Sequence, residues 1–277
     1  MRVVVLSDNR TRNINFETEH GLSVYVEHNG VKWLLDTGKS DVFIRNAEKL
    51  NIDLSEVDFV FLSHGHIDHT GGLMSFFQIN QKAQAFVSVK VAYDQYFSSR
   101  KGMREISSHI DFEKYQDRIL QLKNGVFLSG GVKIFSVETE KYDRPLANRT
   151  LLTDQGLGLE RDDFSHELVI SFGTNNQFVF TGCGHKGLLN ILSYLEQINQ
   201  AKPKVVLGGF HLLDSVAGVQ YESEEDILQI SKILNVQYPE TRFVTGHCTG
   251  DHVYELMKEK GHVQIEQFYV GYDLSID

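Results

Sequence analysis

Short apolar runs rich in Val, Leu and Phe recur along the chain, separated early by polar turns and later by segments with helical spacing. Runs of this length predict buried strands, and apolar residues every three or four positions predict helices. The pattern places strands at 2–7, 22–28, 31–36 and 58–63. A helix is predicted from about 41 to 50, with Ser40 or Asp41 as its cap, and another after the turn Thr70-Gly71-Gly72. The stretch 80–150 is less regular: apolar runs such as AFVSV, GVFL and VKIFSV mix with charged segments such as SSRKGMREISSHIDFEKYQDR. It reads as an insertion or cap. Beyond it the alternation returns as ELVISF, QFVFTG, a helix over 186–200, KVVLGG, a helix over 223–235, RFVTG and a helix over 250–260. Strand-helix alternation of this kind predicts a layered α/β fold. No linker or low-complexity block divides the chain, so it reads as one domain, 1–277, with 80–150 as an inserted subregion.

The strands share an ending. DFVFLS runs into His64, QFVFTGCG into His185, KVVLGGF into His211 and RFVTG into His247; KWLL ends in Asp36. Each is a buried-type strand whose next polar residue follows a small residue or a turn. A single histidine after a strand is ordinarily a satisfied edge residue. Four on one template point to the C-terminal rim of a sheet, where α/β folds gather ligands.

Composition narrows the chemistry. Lys plus Arg is 27 and Asp plus Glu is 37, a net charge of −10. That excludes a nucleic-acid backbone as the main partner, because such binders carry basic patches. With only 2 Cys the chain has neither a disulfide scaffold nor a Cys-rich zinc module. No stretch has the roughly 20 apolar residues of a membrane span. The opening MRVVVLSDN reads as a strand rather than a signal peptide. A cytoplasmic protein is expected. The 12 histidines are the unusual count.

Four metal-type donors, His64, His66, Asp68 and His69, lie in the segment SHGHIDHTGG. Imidazole and carboxylate suit Zn²⁺, Mn²⁺ or Fe, and the lack of Cys in the segment argues against a closed structural zinc site. In a loop leaving a strand, His64 and His66 are expected to serve one ion, and Asp68 and His69 a second. Asp36 is expected to accept an N–H from a ligating histidine and fix its tautomer. Asp8 and His20 are weaker candidates for the same rim.

The segment matches H-x-H-x-D-H residue for residue, and the chain therefore resembles the metallo-β-lactamase superfamily. Looser motifs, Glu19-His20-Gly21-Leu22-Ser23, Thr181-Gly182-Cys183-Gly184-His185, Gly208-Gly209-Phe210-His211-Leu212 and Thr245-Gly246-His247-Cys248, are similar to the dihydropterin-methyl-ribofuranosyl-aminobenzene phosphate synthase subgroup. The resemblance implies an αββα sandwich with a dinuclear metal site along one edge. It implies His247 as the last ligand of the second ion, beside Asp68 and His69. The third ligand of the first ion is expected to be His185, with His166 as the alternative. The sequence departs from the family at Cys183, which stands where a bridging Asp is usual. That thiol is expected to pack beside the site rather than ligate. Cys248 carries the same reading, and a Cys183–Cys248 disulfide is disfavoured.

The expected activity is hydrolysis of a small anionic, phosphorylated substrate by a metal-bound hydroxide, with two divalent ions: zinc first, manganese or iron as alternatives. Asp68 would orient the nucleophile and His211 protonate the leaving group. Lys90, Arg100, Lys101 and Arg104 would either receive phosphate or form a solvated face, the second being the more ordinary outcome. The alternatives are a pterin-ring-forming synthase of the methanopterin type and a non-catalytic metal-dependent sensor of a small ligand. Oligomeric state is not legible.

Overall fold

The computed structural model describes residues 1–123, 125–175, 177–216 and 218–277, and the chain falls into two compact units. The first comprises Met1–Val126, Thr150–Leu168 and Phe268–Asp277; the second comprises Phe127–Arg149 and Val169–Gln267. Both are mixed sheets carrying helices, the α/β class that the alternation predicts. Among the described residues no helix is long and apolar enough to cross a membrane.

The large sheet of the first unit runs Asp273–Ser275, Arg2–Ser7, Ser23–His28, Val31–Leu35, Phe59–Phe61, Gln84–Ser88, Ile119–Leu122. It is antiparallel up to Val31–Leu35 and parallel beyond. Phe59–Phe61 and Gln84–Ser88 are largely buried on both faces, which is why they read as apolar runs rather than as alternation, whereas the edge strand Ile119–Leu122 is mostly exposed. Val4, Leu6, Leu34, Val60, Leu62, Ala85 and Val87 form one core with Phe43 and Ala47 of helix Val42–Lys49 and Leu73, Phe76 and Phe77 of helix Leu73–Ile79. Each Val, Leu or Phe among them contributes about 1.5–3 kcal/mol when fully buried. A smaller antiparallel sheet runs Leu159–Arg161, Leu151–Asp154, Gln95–Ser98, Arg104–Glu105.

In the second unit the order is Ile265–Gln267, Arg242–Thr245, Val205–Gly208, Phe178–Phe180, Val169–Phe172, Lys133–Phe135. The first four strands are parallel to one another. Helices Leu188–Asn199, Glu224–Gln237 and Asp251–Glu259 bring Ile191, Leu192, Leu195, Leu234 and Met257 into a core with Val179, Val206 and Phe243. The helix expected from 186 begins at Leu188, because Gly187 holds φ 92° and cannot be helical. Ser223 opens its helix with a capping box: its hydroxyl accepts from the Asp226 N–H and Asp226 accepts from the Ser223 N–H.

Asp41 is the N-cap of Val42–Lys49, yet its carboxylate makes no cap hydrogen bond and pairs instead with Arg45 at 2.6 Å. The 80–150 stretch supplies strands to more than one sheet. Gln84–Ser88 and Ile119–Leu122 are members of the first unit's large sheet, and Lys133–Phe135 belongs to the second unit's sheet. The short apolar runs there are ordinary sheet strands; what lies outside both large sheets includes Gln95–Ser98 and Arg104–Glu105.

The turn into helix Leu73–Ile79 has no room for a side chain. A Cβ on Gly72 would lie 2.2 Å from Thr37 O and 2.5 Å from Ser40 O. Backbone cannot yield as a flexible side-chain tip can. Gly72→Ala is expected to cost about 2–3 kcal/mol, read as a lower urea midpoint at unchanged m-value; an unshifted midpoint contradicts this packing.

Candidate metal centre

The strand Phe59–Phe61 delivers its chain, through Leu62 and Ser63, to His64. His64, His66 and His69 are all buried, and the rings of His64 lie 4.5 Å from His66 and 4.1 Å from His69, centroid to centroid. His66 is the N-cap of the short helix Ile67–Thr70, and that turn carries Asp68 and His69 round beside it.

One buried carboxylate organises two of these rings. Asp36 follows Val31–Leu35 and sits in the left-handed region at φ 55°. It accepts from the Ser63 N–H and the Ser63 hydroxyl, each at 2.7 Å, and from His69 Nδ1 at 2.6 Å. The proton of His69 is therefore on Nδ1 and its lone pair on Nε2. Ser63 extends the chain. Its hydroxyl gives its proton to Asp36, so it accepts from His64 Nδ1, 2.8 Å away, and the lone pair of His64 is also on Nε2. Burial, followed by neighbouring His166, pushes the pKa of His66 down to about 3, so that imidazole is neutral at physiological pH. Neutral imidazoles are the ligand form.

Asp68 is partly exposed. Its Oδ2 lies 3.9 Å from His69 Nε2, a separation two ligands of one ion can span, and 3.3 Å from His20 Nε2. His20 is exposed, with its Nδ1 3.3 Å from Asn9 Oδ1. Asp8 is buried and accepts from the Arg10 N–H at 2.9 Å. Lys101 and Arg104 are exposed and Lys90 and Arg100 half-buried.

In the second unit His185 is buried and clamped by Asn148: Nδ1 donates to Asn148 Oδ1 at 3.0 Å and Asn148 Nδ2 donates to the His185 carbonyl at 2.7 Å. Its lone pair is thus on Nε2 as well. The His211 ring lies 4.2 Å from that of His185. His211 and His247 hold φ 49° and 51°, the left-handed backbone also seen at Asp36. Cys183 and Cys248 are buried free thiols, so no disulfide joins them, and Cys248 Sγ lies 3.6 Å from the Cys183 carbonyl.

His166, the alternative third ligand, has both ring nitrogens engaged within the first unit. Nδ1 accepts from the Gly65 N–H at 2.9 Å, and Nε2 faces Asp162 at 3.1 Å. Three contributors escape a sequence reading: Asn148, Asp162 and Tyr96, whose ring lies 4.2 Å from His166. None belongs to a strand-end motif. The only local hint is the DDF turn, where Asp162 accepts from the Phe164 N–H.

In the first unit the donor set is three imidazoles and a carboxylate, two rings having tautomers fixed by Asp36. It fits a divalent cation that prefers nitrogen and oxygen.

Residues 17–183 match the metallo-beta-lactamase superfamily. The chain is 27% identical over 281 residues to 7,8-dihydropterin-6-methyl-4-(beta-D-ribofuranosyl)-aminobenzene-5'-phosphate synthase of Methanocaldococcus jannaschii, covering 94% of this chain and 90% of that protein. It is 34% identical over 90 residues to a UPF0173 metal-dependent hydrolase of Staphylococcus aureus, covering 31% of this chain and 36% of that one. A solved structure of Tm1679, a metal-dependent hydrolase of the beta-lactamase superfamily, superposes with a TM-score of 0.81 at 29% identity, covering 99% of this chain and 98% of that one.

Asp36→Asn sets an amide N–H or a neutral oxygen against His69 and Ser63. Zinc affinity, measured by competition with a chromophoric chelator, is expected to fall about 10–100-fold while the circular dichroism spectrum is retained. Wild-type affinity in this variant contradicts the role given to Asp36.

Proposed function

Because the chain belongs to the metallo-beta-lactamase superfamily, we propose that it is a metal-dependent hydrolase of a small anionic, phosphorylated substrate. The metal-binding donors in this reading are His64, His66, Asp68, His69, His185 and His247, holding two divalent ions, zinc in the first instance. The observation that carries it is the Asp36–Ser63 relay, which presents His64 and His69 with Nε2 lone pairs beside neutral His66. Cations bound there supply Lewis acidity toward the oxygen of the bond under attack and offset the net charge of −10 for an anionic substrate.

The protein's own groups divide the rest. Asp68, the partly exposed carboxylate of the cluster, orients the attacking water. His211 hands a proton to the leaving oxygen. Its left-handed backbone fixes where the ring stands after the Gly208-Gly209-Phe210 turn. Cys183 packs beside the site as a buried thiol. Superfamily membership does not choose among ester, thioester and phosphoester substrates. Support for a phosphorylated one comes from the archaeal relative, whose name carries a 5'-phosphate and whose likeness spans 94% of this chain. The same likeness supports a second reading, a pterin-ring-forming synthase.

His66→Ala is expected to reduce hydrolysis of bis(p-nitrophenyl) phosphate by the zinc-loaded protein to background, with the far-UV spectrum unchanged. Undiminished turnover in that variant removes the hydrolase reading. Coupling of a dihydropterin precursor to a ribofuranosyl-aminobenzene phosphate, without phosphodiester hydrolysis, replaces it by the synthase.

A further inference from the structure

We propose that His166, backed by Asp162, is a positioning residue that sets the backbone between His64 and His66. This rests on the reading above that those two histidines hold metal. The Gly65 N–H points at His166 Nδ1, 2.9 Å away, so Nδ1 carries a lone pair. The ring proton is then on Nε2, which donates to Asp162 Oδ2 at 3.1 Å. The other oxygen of Asp162 accepts from the Phe164 N–H at 2.7 Å. His166 and Asp162 are both buried. The result is a closed chain of hydrogen bonds from the 162–166 turn to one peptide of the HxH segment.

That peptide is one of three held in alternation. Leu168 N–H donates to the Ser63 carbonyl at 2.7 Å, Gly65 N–H goes to His166, and Ile67 N–H goes to the Ile106 carbonyl at 2.8 Å. Positions 63, 65 and 67 are thus fixed by segments remote in sequence, while the intervening positions 64 and 66 carry the imidazoles. Tyr96 closes the arrangement. Its ring lies 4.2 Å from that of His166, and a Cβ on Gly65 would stand 2.3 Å from Tyr96 Cε2. Gly65 is therefore required for the close approach of the aromatic ring.

A competing use of the same atoms exists, because donor atoms of His66, Asp162 and His166 lie within 4.8 Å of one another. An ion there needs the Nε2 lone pair of His166. That moves the ring proton to Nδ1, where it meets the Gly65 N–H head on. The hydrogen bonding seen is that of an orienting residue.

The test uses the full chain, stripped of metal and titrated with Zn²⁺ and with Co²⁺. His166→Phe keeps a ring beside Tyr96 and removes both hydrogen bonds. It is expected to bind the same number of ions as wild type, about 10–100-fold more weakly, with shifted Co²⁺ d–d bands. His166→Asn restores an acceptor for Gly65 and a donor for Asp162 and is expected to regain most of the affinity. In the metal-free protein the Gly65 amide is expected to exchange faster in the Phe variant and not in the Asn variant. Wild-type affinity and spectrum in His166→Phe overturn the proposal. A smaller number of ions at saturation also overturns it, since His166 is then a ligand. If His166→Phe does not fold, Asp162→Asn is read the same way, and unchanged affinity there rejects the proposal. His66→Ala, run alongside, separates the two readings: if it binds metal like wild type, the ligand assignment fails. If it loses metal while His166→Phe does not, only the positioning role fails.

Discussion

The buried carboxylate of Asp36 is the constraint on which the candidate centre depends. A carboxylate out of water is costly unless it is well hydrogen-bonded. Asp36 accepts three donors: a backbone N–H and a hydroxyl from Ser63, and an imidazole N–H from His69. Its left-handed backbone is a further cost, of about 1–3 kcal/mol, that survives only where the surroundings over-determine it. They do so here. Asp36 N–H donates to Phe61 O at 2.8 Å, Thr37 N–H to His69 O at 2.7 Å, and Gly38 N–H to Leu22 O at 2.9 Å. The strand end is tied to both neighbouring segments before any chemistry is asked of it. The same bonds that settle the charge also decide which nitrogen of His64 and His69 carries the lone pair.

The second unit reaches a similar end by hydroxyls. Thr245 Oγ1 donates to Gly208 O at 2.9 Å, so it accepts from Thr249 Oγ1 at 2.6 Å, and Thr249 Oγ1 accepts from Phe210 N–H at 3.0 Å. This relay joins the strand end that leads into His211 to the one that leads into His247. Glycine supplies the close approach: a Cβ on Gly209 would stand 2.2 Å from Cys248 Sγ. Cys248 thus packs against the Gly209 backbone at a tight crossing.

Much of this was legible in the chain, for a physical reason. Four donors in one short segment have no packing value, so SHGHIDHTGG marks a candidate site without any tertiary information. Strand ends were legible because buried parallel strands read as apolar runs and the first polar residue marks where they stop. What was not legible is long-range. Asn148 clamps His185 from a 3-10 turn and His166 reaches Gly65 across 101 positions; no periodicity relates them. The sheet membership of the short strands within 80–150 is long-range in the same sense. A four- or five-residue strand is assigned to a sheet by the neighbours it meets, and its own composition says little about which sheet that is.

This division bears on how substitutions distribute their effects. In the proposed reading four of the six donors lie within positions 64–69, so a single substitution there would remove the cation and its chemistry outright. Residues that orient them are scattered, buried and polar, and look like ordinary core from the sequence alone. Asp36, Ser63, Asn148 and Asp162 are of this kind. Changing one leaves its partner's buried donor or acceptor unmatched, which costs more than the hydrogen bond itself contributes. The first consequence is a misplaced imidazole, and only the second is a less stable fold. The stability of the two units and the fitness of the donors to hold a cation are therefore coupled through the same few polar groups. A chain of this type can repack its apolar faces with much more freedom than it can replace the hydrogen-bonded residues behind its histidines.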